Sequence, residues 1–144
     1  MNKSDMDTLR LPARIESLKL FQDFTCQKLK GWGLPQALEP KVELILEEIL
    51  ANVFNYAYAA GTEGEAEVGC ELKDGSLRFV IADWGAAFNP LESPPPDLTD
   101  DIDARKVGGL GIFFVKEMVD AIAYDRAHDQ NILTIAIRVN SPNT

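Results

Sequence analysis

The chain has 144 residues, 46% of them hydrophobic, which is enough for one domain with a real core and no more. Its net charge of −9 lacks the basic footprint of a general nucleic-acid binder, yet it leaves room for a phosphate site built locally from backbone N–H groups. No apolar run approaches a membrane span and Met1-Asn2-Lys3-Ser4-Asp5 carries no signal-peptide core, so the expectation is a cytoplasmic protein with no membrane contact.

Taken in order, Leu9-Arg10-Leu11 alternates and is closed by Pro12, predicting a short edge strand. The apolar edge near Leu9 and Leu11 is a candidate homodimer surface. From Ala13, the residues Ile15, Leu18, Phe21, Phe24 and Leu29 recur at helical spacing and stop at Gly31-Trp32-Gly33. After a connector from Leu34 to Pro40, a second helix runs through Tyr58. Val42, Ile45, Leu46, Ile49, Leu50, Val53, Phe54 and Ala57 make its apolar face. Glu48, Asn52 and Asn55 fall within an arc of about 60° on the flank of that stripe, with Glu48 and Asn52 one turn apart. Two readings stand open here. One is a rim of caps and surface hydrogen bonds. The other is a carboxylate able to take a proton beside an amide oxygen able to meet a hard cation, the start of a magnesium–nucleotide site.

Two strands follow, Ala66 to Leu72 and Leu77 to Ala82, around the hairpin pair Asp74-Gly75. The second runs into Asp83-Trp84-Gly85. That is either a plain turn or a carboxylate placed to accept from an exocyclic amine, selecting adenine over guanine, beside a glycine that lets a ligand approach. Between Asn89 and Asp103 lie Pro94-Pro95-Pro96 and several acids, a long connector; residues 89–107 are assigned as a lid or a surface excursion. Arg105-Lys106-Val107-Gly108-Gly109-Leu110-Gly111 then opens a third helix, Ile112 to Asp120. The glycines are a flexible join or a phosphate cradle at a helix N-terminus, with Arg105 and Lys106 adding charge. They match neither a P-loop nor a dinucleotide fingerprint. Ala121 to Asp125 and Ile132 to Val139 read as a closing hairpin around His128-Asp129-Gln130-Asn131, with Leu133, Ile135, Ile137 and Val139 on one face. Cys26, Cys70 and the single His128 are too scattered for structural zinc. The order of elements predicts an α+β fold: one domain over 1–144 with its core at about 9–139, a two-layer sandwich whose sheet is mixed but mostly antiparallel, with helices on one face.

Each cluster is weak alone; their order and spacing are specific. The helix with Glu48-Ile49-Leu50-Ala51-Asn52 and Tyr56-Ala57-Tyr58, then Asp83-Trp84-Gly85-Ala86-Ala87-Phe88-Asn89-Pro90, then Gly108-Gly109-Leu110-Gly111, resembles the Bergerat, or histidine-kinase-like, ATPase fold shared by gyrase, heat-shock chaperone, histidine kinase and mismatch-repair ATPases. More narrowly it resembles the anti-sigma-factor serine/threonine protein kinases, from about Leu9 to Val139. The resemblance implies ATP and magnesium as cofactors. Glu48 would be the general base that takes the proton of the acceptor serine, and Asn52 would offer an oxygen to magnesium, with Asn55 a second carboxamide nearby. Asp83 would bind the adenine amino group beside Gly85. Gly109 and Gly111, with Gly108 and Leu110 around them, would bind phosphate, and Thr134 would supply a hydroxyl at the adenine end. The partners implied are a STAS-type anti-sigma-factor antagonist, phosphorylated on serine, and a sigma factor that the chain sequesters. Two features depart from the family pattern: Tyr56 stands where many relatives have His or Lys, and Arg105 and Lys106 lie upstream of the usual phosphate-contacting Arg.

Phosphoryl transfer needs positioning and charge neutralisation more than covalent help, so the chemistry suits such a site. Two other functions compete with the kinase. One is a non-catalytic ATP-binding module that regulates a partner, and the other is an ATP hydrolase in which Glu48 activates water. The fold alone does not choose among them.

Overall fold

The computed structural model describes residues 6–59, 61–92 and 109–139. Its strands form where the sequence alternates. β1 (Asp7–Pro12) lies at one sheet edge, where Pro12, without an N–H to donate, ends the pairing. β2 (Glu65–Lys73) and β3 (Ser76–Asp83) are joined by Asp74 at φ 54° and Gly75 at φ 75°, a left-handed pair whose twist matches the flanking strands. β4 (Ala121–Ala127) and β5 (Gln130–Arg138) are joined the same way by His128 at φ 55° and Asp129 at φ 62°. The strand order is β1-β2-β3-β5-β4, and every pairing is antiparallel.

Register sets the two faces. Leu9, Val68, Ile81, Leu133 and Tyr124 line up across the sheet, and Cys70, Phe79, Ile135 and Ile122 form the row beside them. This face carries the core. Against it pack α1 (Leu18–Gly31) through Phe21 and Leu29, α2 (Leu38–Asn52) through Val42, Ile45, Leu46, Ile49 and Leu50, and α3 (Gly109–Met118) through Ile112 and Val115. Each large apolar side chain so buried stabilises the fold by roughly 1.5–3 kcal/mol. The side chains of Leu9 and Leu11 also pack against this core, so β1 offers its outer backbone edge rather than an apolar surface. The other face carries Gly69, Val80, Ala82, Thr134 and Ala136, with Arg78 and Glu71 at 3.8 Å. Among the described residues no helix is long and apolar enough to cross a membrane.

The helix ends follow local chemistry. A short 3-10 turn (Ile15–Ser17) leads into α1, which stops where Gly33 takes φ 71°. Leu34 N–H then donates to Leu29 O (3.1 Å) and Gly33 N–H to Lys30 O (3.0 Å), satisfying carbonyls the helix leaves open. α2 carries Pro40 in its first turn, where the missing N–H does no harm. Its far end differs from the uniform helix expected through Tyr58: residues Val53–Ala57 form a π turn. The wider turn adds a residue per revolution, and side chains beyond Asn52 are rotated away from the positions that helical spacing predicts. The lid assigned to 89–107 is described only at its start, including a 3-10 turn at Pro90–Glu92.

Candidate functional site

The site forms where α2, the ends of β3 and β5, and the head of α3 meet. A pocket of about 440 Å³, counting its open mouth, lies there. Ile49, Asn52, Val53 and Ala57 supply one wall, Ile81 and Asp83 come from β3, Tyr124, Asn131 and Leu133 from the closing hairpin, and Phe88, Pro90 and Ile112 complete it. The lining is apolar around a few convergent polar groups, the usual make-up of a small-ligand site.

Asp83 is buried at the end of β3, where the strand leaves the sheet. Its Oδ1 accepts the Gly85 N–H (2.9 Å) and the Asn131 side-chain amide (2.9 Å). Gly85 is required by space rather than by dihedral: a β-carbon there would overlap the Ala57 carbonyl group. That carbonyl belongs to the π turn and accepts the Ala86 N–H at 3.0 Å, so the end of α2 and the Asp83 turn are locked together. Tyr58 adds a second tie. Its hydroxyl donates to Glu65 O (2.6 Å) and accepts the Trp84 N–H (2.9 Å), while burial raises its pKa above the ordinary phenol value. Arg126 Nη1 donates to Gly85 O at 2.8 Å.

Glu48 lies one turn before Asn52, at the seam of α2 and α3 beside Leu44, Phe114, Glu117 and Met118. Its carboxylate fills the space over Gly111, where a β-carbon would overlap it. Burial raises its pKa above the ordinary carboxyl value, and the like charge of Glu47 adds to the rise. A carboxylate so tuned is a better proton acceptor than an exposed one. The first turn of α3 contains Gly109, Leu110 and Gly111, whose N–H groups have no partner within the helix. Asn52 and Asp83 thus line one pocket with Ile112 of α3, and Gly85 adjoins it through its N–H bond to Asp83. Glu48 lies outside that lining, one turn before Asn52 and against Gly111.

Other expected residues are placed differently. Asn55 is exposed and does not line the pocket, because the π turn carries it off the Asn52 flank. Thr134 pairs with Val80 and Ala123 on the sheet face opposite the pocket, which Leu133 reaches instead. Arg105, Lys106 and Gly108 lie outside the described residues. Asn131 and Tyr124 were not foreseen as site residues. The strand alternation that marks Leu133, Ile135 and Ile137 as one face, carried back by two, would have found Asn131. Turn-like composition hid it, since Asn after His-Asp reads as loop.

No three His, Cys, Asp or Glu among the described residues are grouped to hold a metal by themselves. Asn52 lines the pocket, and its carboxamide oxygen is a donor type that would suit magnesium. The donor types at the pocket, a buried carboxylate and a carboxamide, are of the kind that would suit a magnesium-bound adenine nucleotide.

Comparison with known proteins identifies the kind of domain. The family model for the histidine kinase-like ATPase domain matches residues 11–137. The chain is 24% identical over 122 residues to serine-protein kinase RsbW of Listeria monocytogenes, covering 82% of this chain and 78% of that one. With serine-protein kinase RsbW of Oceanobacillus iheyensis it shares 20% over 137 residues, 92% of this chain and 87% of the relative. With serine/threonine-protein kinase BtrW of Bordetella bronchiseptica it shares 27% over 92 residues, 64% of this chain and 65% of that protein's length.

Proposed function

Because the chain belongs to the histidine kinase-like ATPase domain family, we propose that it is an ATP-dependent protein serine/threonine kinase that acts as an anti-sigma factor in the cytoplasm. It phosphorylates a serine on a STAS-type anti-sigma-factor antagonist and sequesters a sigma factor. The observation that carries this reading is the placement of Glu48: a carboxylate of raised pKa against Gly111 at the head of α3, one helical turn before Asn52, which lines the pocket. The relatives named as serine-protein kinases support the choice of acceptor.

The roles of the chain's own groups follow from their chemistry. Asp83 accepts from the adenine amino group and the apolar walls enclose the ring. Asn52 would hold magnesium through its side-chain oxygen, and the metal would supply charge neutralisation at the phosphates. The N–H groups of the first turn of α3, which have no partner within the helix, receive phosphate oxygens, favoured by the helix dipole. Glu48 accepts the hydroxyl proton of the incoming serine.

The test is to incubate the purified chain with magnesium, ATP labelled at the γ-phosphate and the antagonist that co-purifies with it. Phosphoserine on the antagonist is expected from wild type and not from Glu48→Gln. A wild-type chain that binds ATP but never labels the antagonist would leave a non-catalytic ATP-binding regulator as the function. Phosphate release that needs no acceptor protein would instead favour a hydrolase.

A further inference from the structure

Asn131 is 7% exposed, and its side-chain amide is used to capacity. Nδ2 donates to Asp83 Oδ1 (2.9 Å) and to Ala86 O (2.8 Å). Oδ1 accepts the Phe88 N–H (3.1 Å) and the Tyr124 hydroxyl (2.5 Å). Two donors face acceptors and the oxygen faces two donors, so only one orientation of the amide satisfies all four bonds. Tyr124 comes from β4 and Asn131 from β5, whereas Asp83 ends β3 and Ala86 and Phe88 follow it. One buried carboxamide therefore joins the closing hairpin to the acid and to the segment just after it.

This arrangement bears on the carboxylate. Asp83 Oδ1 already accepts from Gly85 N–H and from Asn131, which occupies the usual capacity of one carboxylate oxygen. Oδ2 is then the oxygen left to a ligand in the pocket that Asp83 lines. Held in this way, the carboxylate cannot turn to present a different edge to a different base. A 6-amino purine donates to Oδ2. A 6-oxo purine brings an oxygen against a fixed negative charge, and that contact is repulsive.

We infer that Asn131, itself held by Tyr124, is a positioning residue that sets the purine selectivity of the pocket by fixing Asp83 with one oxygen free. The inference rests on the reading of the pocket as an adenine-nucleotide site. It adds that discrimination against 6-oxo purines resides in the carboxamide and the tyrosine behind the acid, and not in the acid alone.

The experiment is titration calorimetry of Mg-ATP and of Mg-ITP, its 6-oxo analogue, into wild type, Asn131→Leu and Tyr124→Phe, with thermal melting of each protein alongside. Wild type is expected to favour ATP over ITP by roughly ten- to hundredfold, the worth of one hydrogen bond to a charged group. In Asn131→Leu the ratio should fall to within about threefold while binding to the phosphate end persists, and Tyr124→Phe should lie between the two. An unchanged ratio in both variants overturns the inference, as does an equal loss for the two nucleotides, which marks a purely structural role. If Asn131→Leu does not fold, Tyr124→Phe, which removes one hydroxyl, decides by the same ratio. Wild type that takes up neither nucleotide overturns the adenine-site reading itself, an outcome distinct from an unchanged ratio.

Discussion

At the scale of single residues, Glu48 and Asp83 are two carboxylates with different surroundings and different work. Asp83 has fixed donors on one oxygen, which suits an acceptor that stays in place. Glu48 is partly buried and sits beside another glutamate, which suits a group that gains and loses a proton. Glu48→Gln is expected to lower the rate of phosphoryl transfer by about 10²–10⁴-fold, the range for loss of a general base, with nucleotide affinity retained in a direct binding assay. The same substitution has a signed effect on stability. Burial raises the Glu48 pKa in the folded state, so the folded chain holds that proton more tightly than the unfolded one. The stability this contributes is complete below the ordinary carboxyl range and is lost as pH rises through the raised value. Glu48→Gln should therefore melt higher than wild type at neutral pH, with the difference closing on acidification, measured by melting curves across the range. Asp83→Asn keeps the shape but replaces the acceptor charge. It should weaken ATP binding by roughly ten- to hundredfold by calorimetry.

Two glycines separate structure from activity at the scale of elements. Gly85 meets the backbone of the π turn, which cannot move without shifting the end of α2. Gly85→Ala is expected to destabilise the fold by about 1–3 kcal/mol in a denaturant titration, the usual penalty of overpacking. A β-carbon at Gly111 would overlap the carboxylate end of the flexible Glu48 side chain and touch its β-carbon. Gly111→Ala should cost little stability and displace the carboxylate, so its loss appears in the transfer rate. The β4–β5 turn offers a third element-scale prediction. His128 and Asp129 both hold positive φ without a glycine, a conformation that is unfavourable for L-residues by roughly 1–2 kcal/mol. Asp129→Gly should stabilise the chain by up to about 1 kcal/mol in chemical denaturation, because it relieves one of these positions at the expense of a more flexible unfolded state.

For the whole molecule, one covered sheet face organises everything. α2 is buried along its apolar stripe, and its polar flank is thereby aimed at the end of β3 and the head of α3. A ligand that bridges these elements should stabilise them together: Mg-ATP at a hundredfold excess over its dissociation constant adds about 2.7 kcal/mol, a rise of roughly 5–10 °C in a thermal shift assay. How much of this was legible beforehand differs by residue. The α+β layering, the edge strand ended by Pro12, the hairpin at Asp74-Gly75 and the apolar stripe of α2 follow from spacing and turn chemistry, because these are local properties of the chain. The order of motifs brings Asn52 and Asp83 into view together, and both line the pocket. The π turn that removes Asn55 and the recruitment of Tyr124 were decided by tertiary structure, whereas the opposite faces of Asn131 and Thr134 already follow from the alternation of Leu133, Ile135 and Ile137 along one strand. Helical and strand periodicity specify which residues share a face, but a one-residue change of phase moves a side chain to another face, and only the packing of distant elements against one another sets that phase.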